Sequence, residues 1–364
     1  MYNLCKNLPK NSYAVITIEK EFSKRFGVYD KNYELDCTTA RLPVCYTSTR
    51  DQLVFLLLTV LKGLSIRKKD RFDCILAVHP YFCDLIGAYI LHKLTGTPFV
   101  IYMHDLFSET RRSAPTYGIW YALEKRIFRS ASKILIMNEH YRYHYSKKGV
   151  QNTVIFPPSI DLASYYNSEI ATASPILPKN KLVIAYTGSV YSFQEKAILA
   201  FLDAAKRVSG IHVVFATPSA EGYLEESLRE LLKEVDIGFL SKKNCMALQK
   251  RADVLFLPLS QNLPYSEEEK VAFPCKLLEY LAAGKAILAV VPKGSFVESF
   301  VLEHEVGVIV NTLSVEKIVN AIVELKDEDA RRRFSQNSLR TAKLFDAKIW
   351  AQRLYILLSE VTSQ

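Results

Sequence analysis

One segment of the sequence carries the residues with the clearest chemical potential: a proline, a lysine, a glutamate and a glycine, in that order. Pro274, Lys276, Glu279 and Gly284 have the spacing of a helix that begins just after the proline and ends at the glycine. The first amides of a helix lack intrahelical acceptors, so together with Lys276 they could bind a diphosphate. The carboxylate of Glu279 could accept hydrogen bonds from both neighbouring hydroxyls of a ribose. The segment therefore predicts a nucleotide diphosphate site.

This segment resembles the donor-site helix of the GT-B glycosyltransferases of the family 4 type, in the branch whose motif is Pro-x-Lys-Leu-x-Glu-Tyr-x-Ala-x-Gly-Lys-Pro-Ile. Four further landmarks occur in the family's order. They are Tyr-Met-His-Asp at 102–105, Ile-Phe-Pro-Pro-Ser-Ile-Asp at 155–161, Ile-Ala-Tyr-Thr-Gly-Ser at 184–189 and Ala-Asp-Val-Leu-Phe-Leu-Pro at 252–258. On these motifs the sequence is identified as a member of the family.

The resemblance implies an α/β protein of the GT-B fold, in which two Rossmann-like domains face each other across a cleft and a C-terminal helix crosses back to the first domain. A chain of 364 residues is also too long for one ordinary hydrophobic core. We predict an acceptor-binding domain at 1–163, a linker at 164–180, a nucleotide-sugar-binding domain at 181–340 and a crossover helix at 341–364. The linker is placed where apolar residues follow neither the helical nor the strand periodicity and where two prolines occur.

The beginning of the chain departs from the family pattern. Members usually begin with an apolar strand and a glycine-rich loop that faces the donor, whereas residues 1–13 resemble the helix that follows this loop. We therefore expect the first strand and its loop to be missing, either because the start is placed late or because the acceptor domain does without them.

Apolar strands alternate with helices along the chain, which is typical of parallel sheets with crossover helices. Strands are predicted near 13–18, 74–78, 99–103, 133–137, 153–156, 182–187, 212–216, 235–239, 254–257, 286–290 and 307–310. Helices are predicted at 83–94 and 119–130, and others begin near 195, 222, 243, 276, 296 and 315. Ser192 with Glu195, and Ser295 with Glu298, have the spacing of capping boxes at helix starts.

The resemblance assigns individual residues around the donor. Lys276 would neutralise the diphosphate and the charge that develops on it as the sugar–phosphate bond breaks. Gly188 would let the backbone approach a phosphate closely, and Lys196 would add a second positive charge, although the family's basic pair after this loop is not clearly present. The predicted donor-binding residues are Gly188, Ser189, Lys196, Phe273, Pro274, Cys275, Lys276, Leu277, Leu278 and Glu279.

Three residues, His104, Asp105 and Lys276, are predicted to act at the reaction centre. His104 and Asp105 follow a predicted buried strand, and ligand sites of α/β sheets lie at the carboxyl ends of strands. In the family this histidine lies near the donor sugar and the acceptor, so the resemblance implies a polar contact from His104. Asp105 and Glu109 could orient the acceptor hydroxyl.

One family contact must come from another residue in this chain. Many members carry a first glutamate that touches the donor sugar, eight positions before the ribose-binding glutamate, and Val271 occupies that position here. The nearby Glu-Glu-Glu-Lys at 267–270 is a candidate replacement, although an exposed acidic loop would have the same composition.

Metal and dinucleotide chemistry find little support. His140 and His144 have helical spacing but lack a third ligand, and the Asp-Glu-Asp at 327–329 lies in a charged helix far from the donor motifs, so we predict no essential metal. Neither Gly-x-Gly-x-x-Gly nor Gly-x-x-x-x-Gly-Lys-Ser/Thr occurs, which argues against a dinucleotide oxidoreductase and a P-loop enzyme. Seven cysteines without a Cys-x-x-Cys pair argue against a disulfide framework and fit a reducing cytoplasm.

Positive charge is concentrated in the first half of the chain. Residues 1–160 carry 23 Lys and Arg against 13 Asp and Glu, whereas residues 161–364 carry 24 against 25. A bilayer surface or a lipid-pyrophosphate acceptor would explain this excess, as would solubility alone. The apolar run at 53–61 is too short to span a bilayer, so it is either a buried helix between two strands or a helix that rests on a membrane. Nucleic acid is not expected, because no zinc finger, RNP-like motif or basic helical arm occurs.

The resemblance implies a retaining glycosyltransferase of the hexosyltransferase type, and we expect it to be metal-independent. Its donor would be a nucleotide diphosphate sugar, with a UDP-sugar favoured over GDP and ADP forms, and no other cofactor is expected. Its acceptor would be a glycan or a lipid-linked molecule of bacterial surface polysaccharide or exopolysaccharide synthesis. The expected location is cytoplasmic, with contact at the inner face of the plasma membrane. Two alternatives stay open: a nucleotide-sugar 2-epimerase of the same fold, and a non-catalytic nucleotide-sugar binder.

Overall fold

The computed structural model describes residues 1–18, 35–42, 49–109, 114–167, 177–216, 236–238, 242–259 and 266–363. The chain folds into two compact units. Unit 1 comprises Met1–Ser159 and Ala347–Gln364, and unit 2 comprises Ile160–Asp346. Each unit contains parallel strands joined by helices, which confirms the predicted two-domain α/β class.

Unit 1 is built around a four-stranded parallel sheet. Its described elements before residue 160 are α1 (Tyr2–Cys5), β1 (Ala14–Ile18), β2 (Thr38–Leu42), α2 (Thr49–Asp70), β3 (Ile75–His79), α3 (Phe82–Thr95), β4 (Phe99–Met103), α4 (Tyr117–Ser130), β5 (Lys133–Ile136), α5 (Glu139–Lys147) and β6 (Thr153–Ile155). The strand order is β3-β4-β5-β6, and β1 pairs with β2 separately. All five residues of β4 are buried, as expected for a parallel strand covered on both faces.

Unit 2 contains a six-stranded parallel sheet in the order β12-β11-β10-β7-β8-β9. Its described elements are α6 (Leu162–Asn167), β7 (Leu182–Thr187), α7 (Glu195–Lys206), β8 (Ile211–Ala216), β9 (Asp236–Gly238), α8 (Lys242–Arg251), β10 (Val254–Pro258), α9 (Ser266–Val271), α10 (Cys275–Ala283), β11 (Ala286–Val290), α11 (Phe296–His304), β12 (Gly307–Val310), α12 (Val315–Glu324) and α13 (Glu328–Ala342). Every residue of β7, β10 and β11 is buried, so these strands form the centre of the core.

The last helix, α14 (Ala347–Thr362), belongs to unit 1 rather than to the unit that precedes it. Its buried residues Trp350 and Leu354 pack in one cluster with Val100, Leu135 and Phe156 of the first sheet. The rings of Trp350 and Phe156 meet edge to face with centroids 5.0 Å apart. This apolar packing holds the C-terminal helix on unit 1, as expected for a helix that returns to the first domain.

Helix α2 contains the apolar run at 53–61 and lies between β2 and β3. One face is buried, with Phe55 and Val60 in the core, whereas Leu53, Leu57 and Leu61 are 58%, 57% and 53% exposed. Of the helices in the described parts of the chain, none has the length and apolar content that a membrane crossing demands.

Most of the predicted elements lie where the periodicity placed them, with four strands matching at both ends: 99–103, 182–187, 286–290 and 307–310. The helix predicted near 222 and both ends of the strand predicted at 235–239 fall outside the described residues. Of the predicted linker, residues 164–167 belong to α6, and 168–176 are not described.

One of the two predicted capping boxes is correct in its N-cap, although the Glu298 carboxylate accepts from the Gly294 amide rather than from that of Ser295. Ser295 caps α11 and accepts a hydrogen bond from the Glu298 amide. At α7 the prediction is wrong, because Gln194 is the N-cap and a short 3₁₀ helix, Ser192–Gln194, precedes it. The Gln194 side chain accepts from the Tyr191 amide and donates to the Pro258 carbonyl, and this long-range contact overrides the local capping signal.

Candidate functional site

The candidate site in unit 2 is organised by helix α10. The helix begins at Cys275 with Pro274 as N-cap, and its first amides receive no side-chain cap from that residue. It ends at Gly284, which adopts the left-handed conformation with φ 63°. Because β11 follows at Ala286 in the same parallel sheet as β7, the helix start lies on the edge where the strands end. The sequence predicted this helix correctly.

Lys276, on the first turn of α10, reaches the glycine turn that follows β7. Its Nζ donates to the Tyr186 hydroxyl, and to the Ser189 carbonyl at 3.0 Å. Gly188 has φ 112°, and a Cβ at this position would lie 2.5 Å from Cε of Lys276. The structure thus brings together three predicted residues, Gly188, Ser189 and Lys276. A glycine is needed at 188 because of its positive φ and because a Cβ would occupy the space of the Lys276 side chain.

Burial lowers the pKa of Lys276 to about 7, and the charge of Glu279 opposes this only in part. Its hydrogen-bond acceptors are a hydroxyl and a carbonyl, which do not neutralise an ammonium group. A bound anion would relieve this desolvation, so the site favours a negatively charged ligand.

Glu279 lies one turn beyond Lys276 on α10 and is half-buried. Its Oε2 accepts a hydrogen bond from Nε2 of Gln249, a fully buried residue of α8, at 3.0 Å. Gln249 could not be identified from the sequence, because α8 is a polar segment in which nothing distinguishes one glutamine. Tyr186 was also missed, although a tyrosine two residues before the glycine turn could have been noticed.

The other predicted donor-binding residues divide by burial. Phe273, Leu277 and Leu278 have side chains in the core, so only their backbone atoms could contact a ligand. Pro274 is half-buried and Cys275 is exposed at the helix start. Lys196 is exposed on the first turn of α7, and among the described residues it makes no hydrogen bond or ion pair.

The candidate residues for the sugar contact lie in α9. Glu267, Glu268, Glu269 and Lys270 occupy this short helix, and Lys270 lies 3.8 Å from the Glu267 carboxylate. Val271, at the position of the family's first glutamate, is buried. A sugar contact from α9 stays a prediction.

In unit 1, His104 and Asp105 follow directly after β4, at the carboxyl end of the sheet. Burial lowers the pKa of His104 to about 3, so the imidazole is neutral at physiological pH and can offer a hydrogen bond but not a positive charge. Its backbone carbonyl accepts from the Tyr141 hydroxyl at 2.9 Å, which fixes the loop. Asp105 is exposed on this loop, yet the protein atoms around its carboxyl group partly desolvate it and thereby raise its pKa.

Glu109 is committed to a buried charge network, and this argues against its predicted role at the acceptor. Its carboxylate binds His144 at 2.9 Å and also Lys148, which in turn pairs with Glu124 at 2.8 Å. Burial would raise the pKa of Glu109, but the contacts with His144 and Lys148 outweigh it and lower the pKa to about 2. His144 therefore serves this network.

The structure gives no support to the motifs that were considered as metal sites. The side chain of Asp327 caps α13 by accepting from the Asp329 amide at 3.0 Å. Across the parts of the chain that the structure describes, no three His, Cys, Asp or Glu side chains are grouped so that they could hold a metal ion.

Comparisons with known proteins match both halves of the chain. Residues 1–164 match the family model described as Glycosyltransferase Family 4, and residues 181–328 match the one described as Glycosyl transferases group 1. No curated protein matches the chain at a significant level.

Several solved structures share the fold at low identity. Sucrose-phosphate synthase from Thermosynechococcus elongatus is 14% identical, with a TM-score of 0.69 over 96% of this chain and 99% of that chain. HepE from Anabaena, solved in complex with UDP and glucose, is 15% identical, with a TM-score of 0.70 over 98% and 94%. An α,α-trehalose 6-phosphate synthase from Burkholderia multivorans is 13% identical, with a TM-score of 0.64 over 89% and 77%.

The contact between Gly188 and Lys276 predicts a specific stability pattern. Gly188→Ala will lower the free energy of unfolding by about 2–3 kcal/mol, because it adds both backbone strain and a clash with Lys276. Gly294→Ala is the matched control: its φ is 75°, and an added Cβ would meet nothing within 4 Å, so it will cost only about 1 kcal/mol.

Urea unfolding of the full chain measures both variants. In the Lys276→Ala background, Gly188→Ala and Gly294→Ala will lower the free energy of unfolding by equal amounts. If the two glycine variants lower the free energy of unfolding equally in the wild-type background, the Lys276 side chain does not need the space that the missing Cβ of Gly188 leaves.

Proposed function

The chain is a family 4 glycosyltransferase with the GT-B fold, and we propose that it takes its sugar from a UDP-sugar bound at the start of α10. The observation that carries this proposal is the presence of Lys276 and Glu279 on successive turns of one helix, with Lys276 against the Gly188 turn. The structures of HepE with UDP and glucose and with UDP-glucose favour uridine among the possible nucleotides.

In the proposed complex, the diphosphate accepts hydrogen bonds from the first amides of α10 and from Lys276. The carboxylate of Glu279 accepts from the vicinal hydroxyls of the ribose. As the bond between the sugar and the phosphate breaks, negative charge grows on the leaving diphosphate, and Lys276 and the helix N-terminus stabilise that charge. This positive environment needs no metal ion, so we propose a metal-independent enzyme.

We propose transfer with retention of the anomeric configuration. The acceptor hydroxyl forms its bond to the anomeric carbon on the face that the diphosphate leaves, and its proton passes to a leaving phosphate oxygen. The leaving group thus serves as the base, and no side-chain carboxylate is required. The neutral imidazole of His104 and the carboxyl group of Asp105 would orient the reacting hydroxyls by hydrogen bonding.

The proposed acceptor is a glycan or a lipid-linked molecule of bacterial surface polysaccharide synthesis, reached from the cytoplasmic face of the plasma membrane. The exposed face of α2 supports such a location. Leu53, Leu57 and Leu61 recur every four residues and form an apolar stripe on a helix whose opposite face is already packed.

The charges around this stripe are complementary to an anionic bilayer. Lys62, Lys68 and Lys69 are exposed along the same helix, and Arg67 lies in its last turn. Basic residues near an apolar helix face strengthen its attachment to anionic lipids. A lipid-linked acceptor would then be reached by diffusion within the membrane plane.

Glu279→Ala will weaken UDP binding by about 100- to 10,000-fold, because two hydrogen bonds to a charged group are lost. Isothermal titration calorimetry gives the affinity, and the shift of the melting temperature with UDP, GDP or ADP gives the base preference. Glu303→Ala, at an exposed glutamate of α11, is the control and will bind like the wild type. Unchanged UDP affinity in Glu279→Ala, or no stabilisation of the wild type by any of the three nucleotides, would refute the proposed site.

Binding of UDP-glucose will weaken as the pH rises above about 7. Below this value Lys276 is already protonated in the free protein, so the affinity will be flat; above it, binding must take up a proton because the diphosphate raises the pKa of the lysine. The affinity will then fall by up to about tenfold per pH unit.

Calorimetry in buffers with different ionisation heats counts the protons, and about one per donor is expected near pH 8. UDP-glucose is the appropriate ligand because its diphosphate diester does not titrate in this range. Lys276→Arg keeps its charge and will abolish the slope. A wild type that binds without proton uptake would contradict the assignment of Lys276.

Membrane attachment will depend on the α2 stripe. The wild type will sediment with vesicles rich in phosphatidylglycerol but not with phosphatidylcholine vesicles, and high salt will release it. Leu57→Ser/Leu61→Ser will reduce the partition coefficient by about 100-fold, because two leucine side chains no longer enter the lipid. Leu302→Ser, at a leucine of α11 that is 61% exposed, is the control. Equal partition of both variants would exclude this surface.

A further inference from the structure

Gln249 occupies a central position between the strand that ends at the glycine turn and the helix that carries Glu279. It is fully buried in α8, and its amide group makes three hydrogen bonds. Nε2 donates to Thr187 Oγ1 at 2.7 Å and to Glu279 Oε2 at 3.0 Å. Oε1 accepts from the Tyr165 hydroxyl at 2.7 Å. Both amide protons are therefore used, and one of their acceptors is the carboxylate proposed to bind the ribose.

The partners of Gln249 permit only one orientation of its amide. An ionised carboxylate can only accept hydrogen bonds, so the nitrogen must face Glu279. On the other side of the amide, the Tyr165 hydroxyl donates to the oxygen. Tyr165 belongs to α6, where its backbone carbonyl accepts from Lys250 Nζ at 2.8 Å. A flipped amide would place its oxygen against the Glu279 carboxylate and lose that hydrogen bond, whereas the hydroxyls of Thr187 and Tyr165 can donate or accept in either orientation.

This geometry restrains the Glu279 side chain. A free glutamate has several rotamers, and ordering a side chain with three rotatable bonds costs entropy when a ligand binds. The hydrogen bond from Gln249 holds Oε2, so that Oε1 and the remaining lone pair of Oε2 are already placed for the ligand. Hydrogen bonding to two neighbouring hydroxyls requires both oxygens in a fixed plane, so a free carboxylate would bind them less well.

We propose that Gln249 is a positioning residue that aligns Glu279 for the ribose, and that the hydrogen bond from Tyr165 restrains its amide group. The preference of the protein for a ribonucleotide over a 2′-deoxyribonucleotide then depends on Gln249. This inference rests on the proposed function, in which Glu279 binds the ribose hydroxyls. It adds a selectivity that Glu279 alone does not determine.

The test compares the affinities of the full-length protein for UDP and for 2′-deoxy-UDP by isothermal titration calorimetry. The wild type will prefer UDP by about 30-fold, the effect of one hydrogen bond to a charged group. Gln249→Met, which has a similar volume but no donor, will weaken UDP binding more than 2′-deoxy-UDP binding and reduce this preference to about threefold. Gln352→Met, at an exposed glutamine of α14, makes the same chemical change and will keep the full preference.

Two further variants separate the possible failures. Glu279→Ala will abolish the preference, and adding Gln249→Met to it will change nothing more. If Glu279→Ala loses the preference but Gln249→Met keeps it, the positioning role is refuted and the proposed function stands. If Glu279→Ala keeps the preference, the proposed function itself fails.

Melting temperatures without ligand show whether each variant folds. Should Gln249→Met prove unfolded, Tyr165→Phe decides the same question, because it leaves the glutamine in place and removes only a hydroxyl that restrains its amide group. The preference for UDP will then fall to about tenfold. An unchanged preference in Tyr165→Phe, with Gln249→Met unfolded, overturns the inference.

Discussion

The contact of Lys276 with the turn after β7 determines the character of the candidate site. An ammonium group that is largely removed from water, with a hydroxyl and a carbonyl as its hydrogen-bond acceptors, lies in an environment that disfavours its charge. The lowered pKa, about 7, expresses that cost. Because the first amides of α10 have the same preference for negative charge, the free protein retains a positive site that an anionic ligand can complete.

A second buried lysine, Lys148, has carboxylate partners, and its pKa shifts in the opposite direction. Lys148 of unit 1 lies between Glu109 and Glu124. Burial would lower the pKa of Lys148, but the two carboxylates outweigh it and raise the pKa. That network joins α4, the loop after β4 and the end of α5, so its charges hold structure together. Lys148 is therefore a structural lysine, whereas Lys276 has the features of a ligand-binding one.

The fold and the helix of the site could be predicted because their signals are local. Pro274 and Gly284 mark the two ends of α10 within the sequence itself, and apolar runs mark the central strands. The restraint on Glu279 could not be predicted, because the partners of Gln249 lie 62, 30 and 84 positions away in the chain. Gln194 shows the same limit, since its contact with Pro258 moved a predicted cap. The network of Glu109 could not be predicted either, because its buried partners, His144 and Lys148, are also distant in sequence.

The central claim is that one helix binds both parts of a nucleotide, its ribose through Glu279 and its diphosphate through Lys276 and the first amides. A crystal structure of the protein with UDP tests this most directly. We expect ribose hydroxyl oxygens within about 3 Å of the Glu279 carboxylate and diphosphate oxygens within about 3 Å of Lys276 Nζ. A nucleotide bound elsewhere, or bound at α10 with its ribose turned away from Glu279, would contradict it.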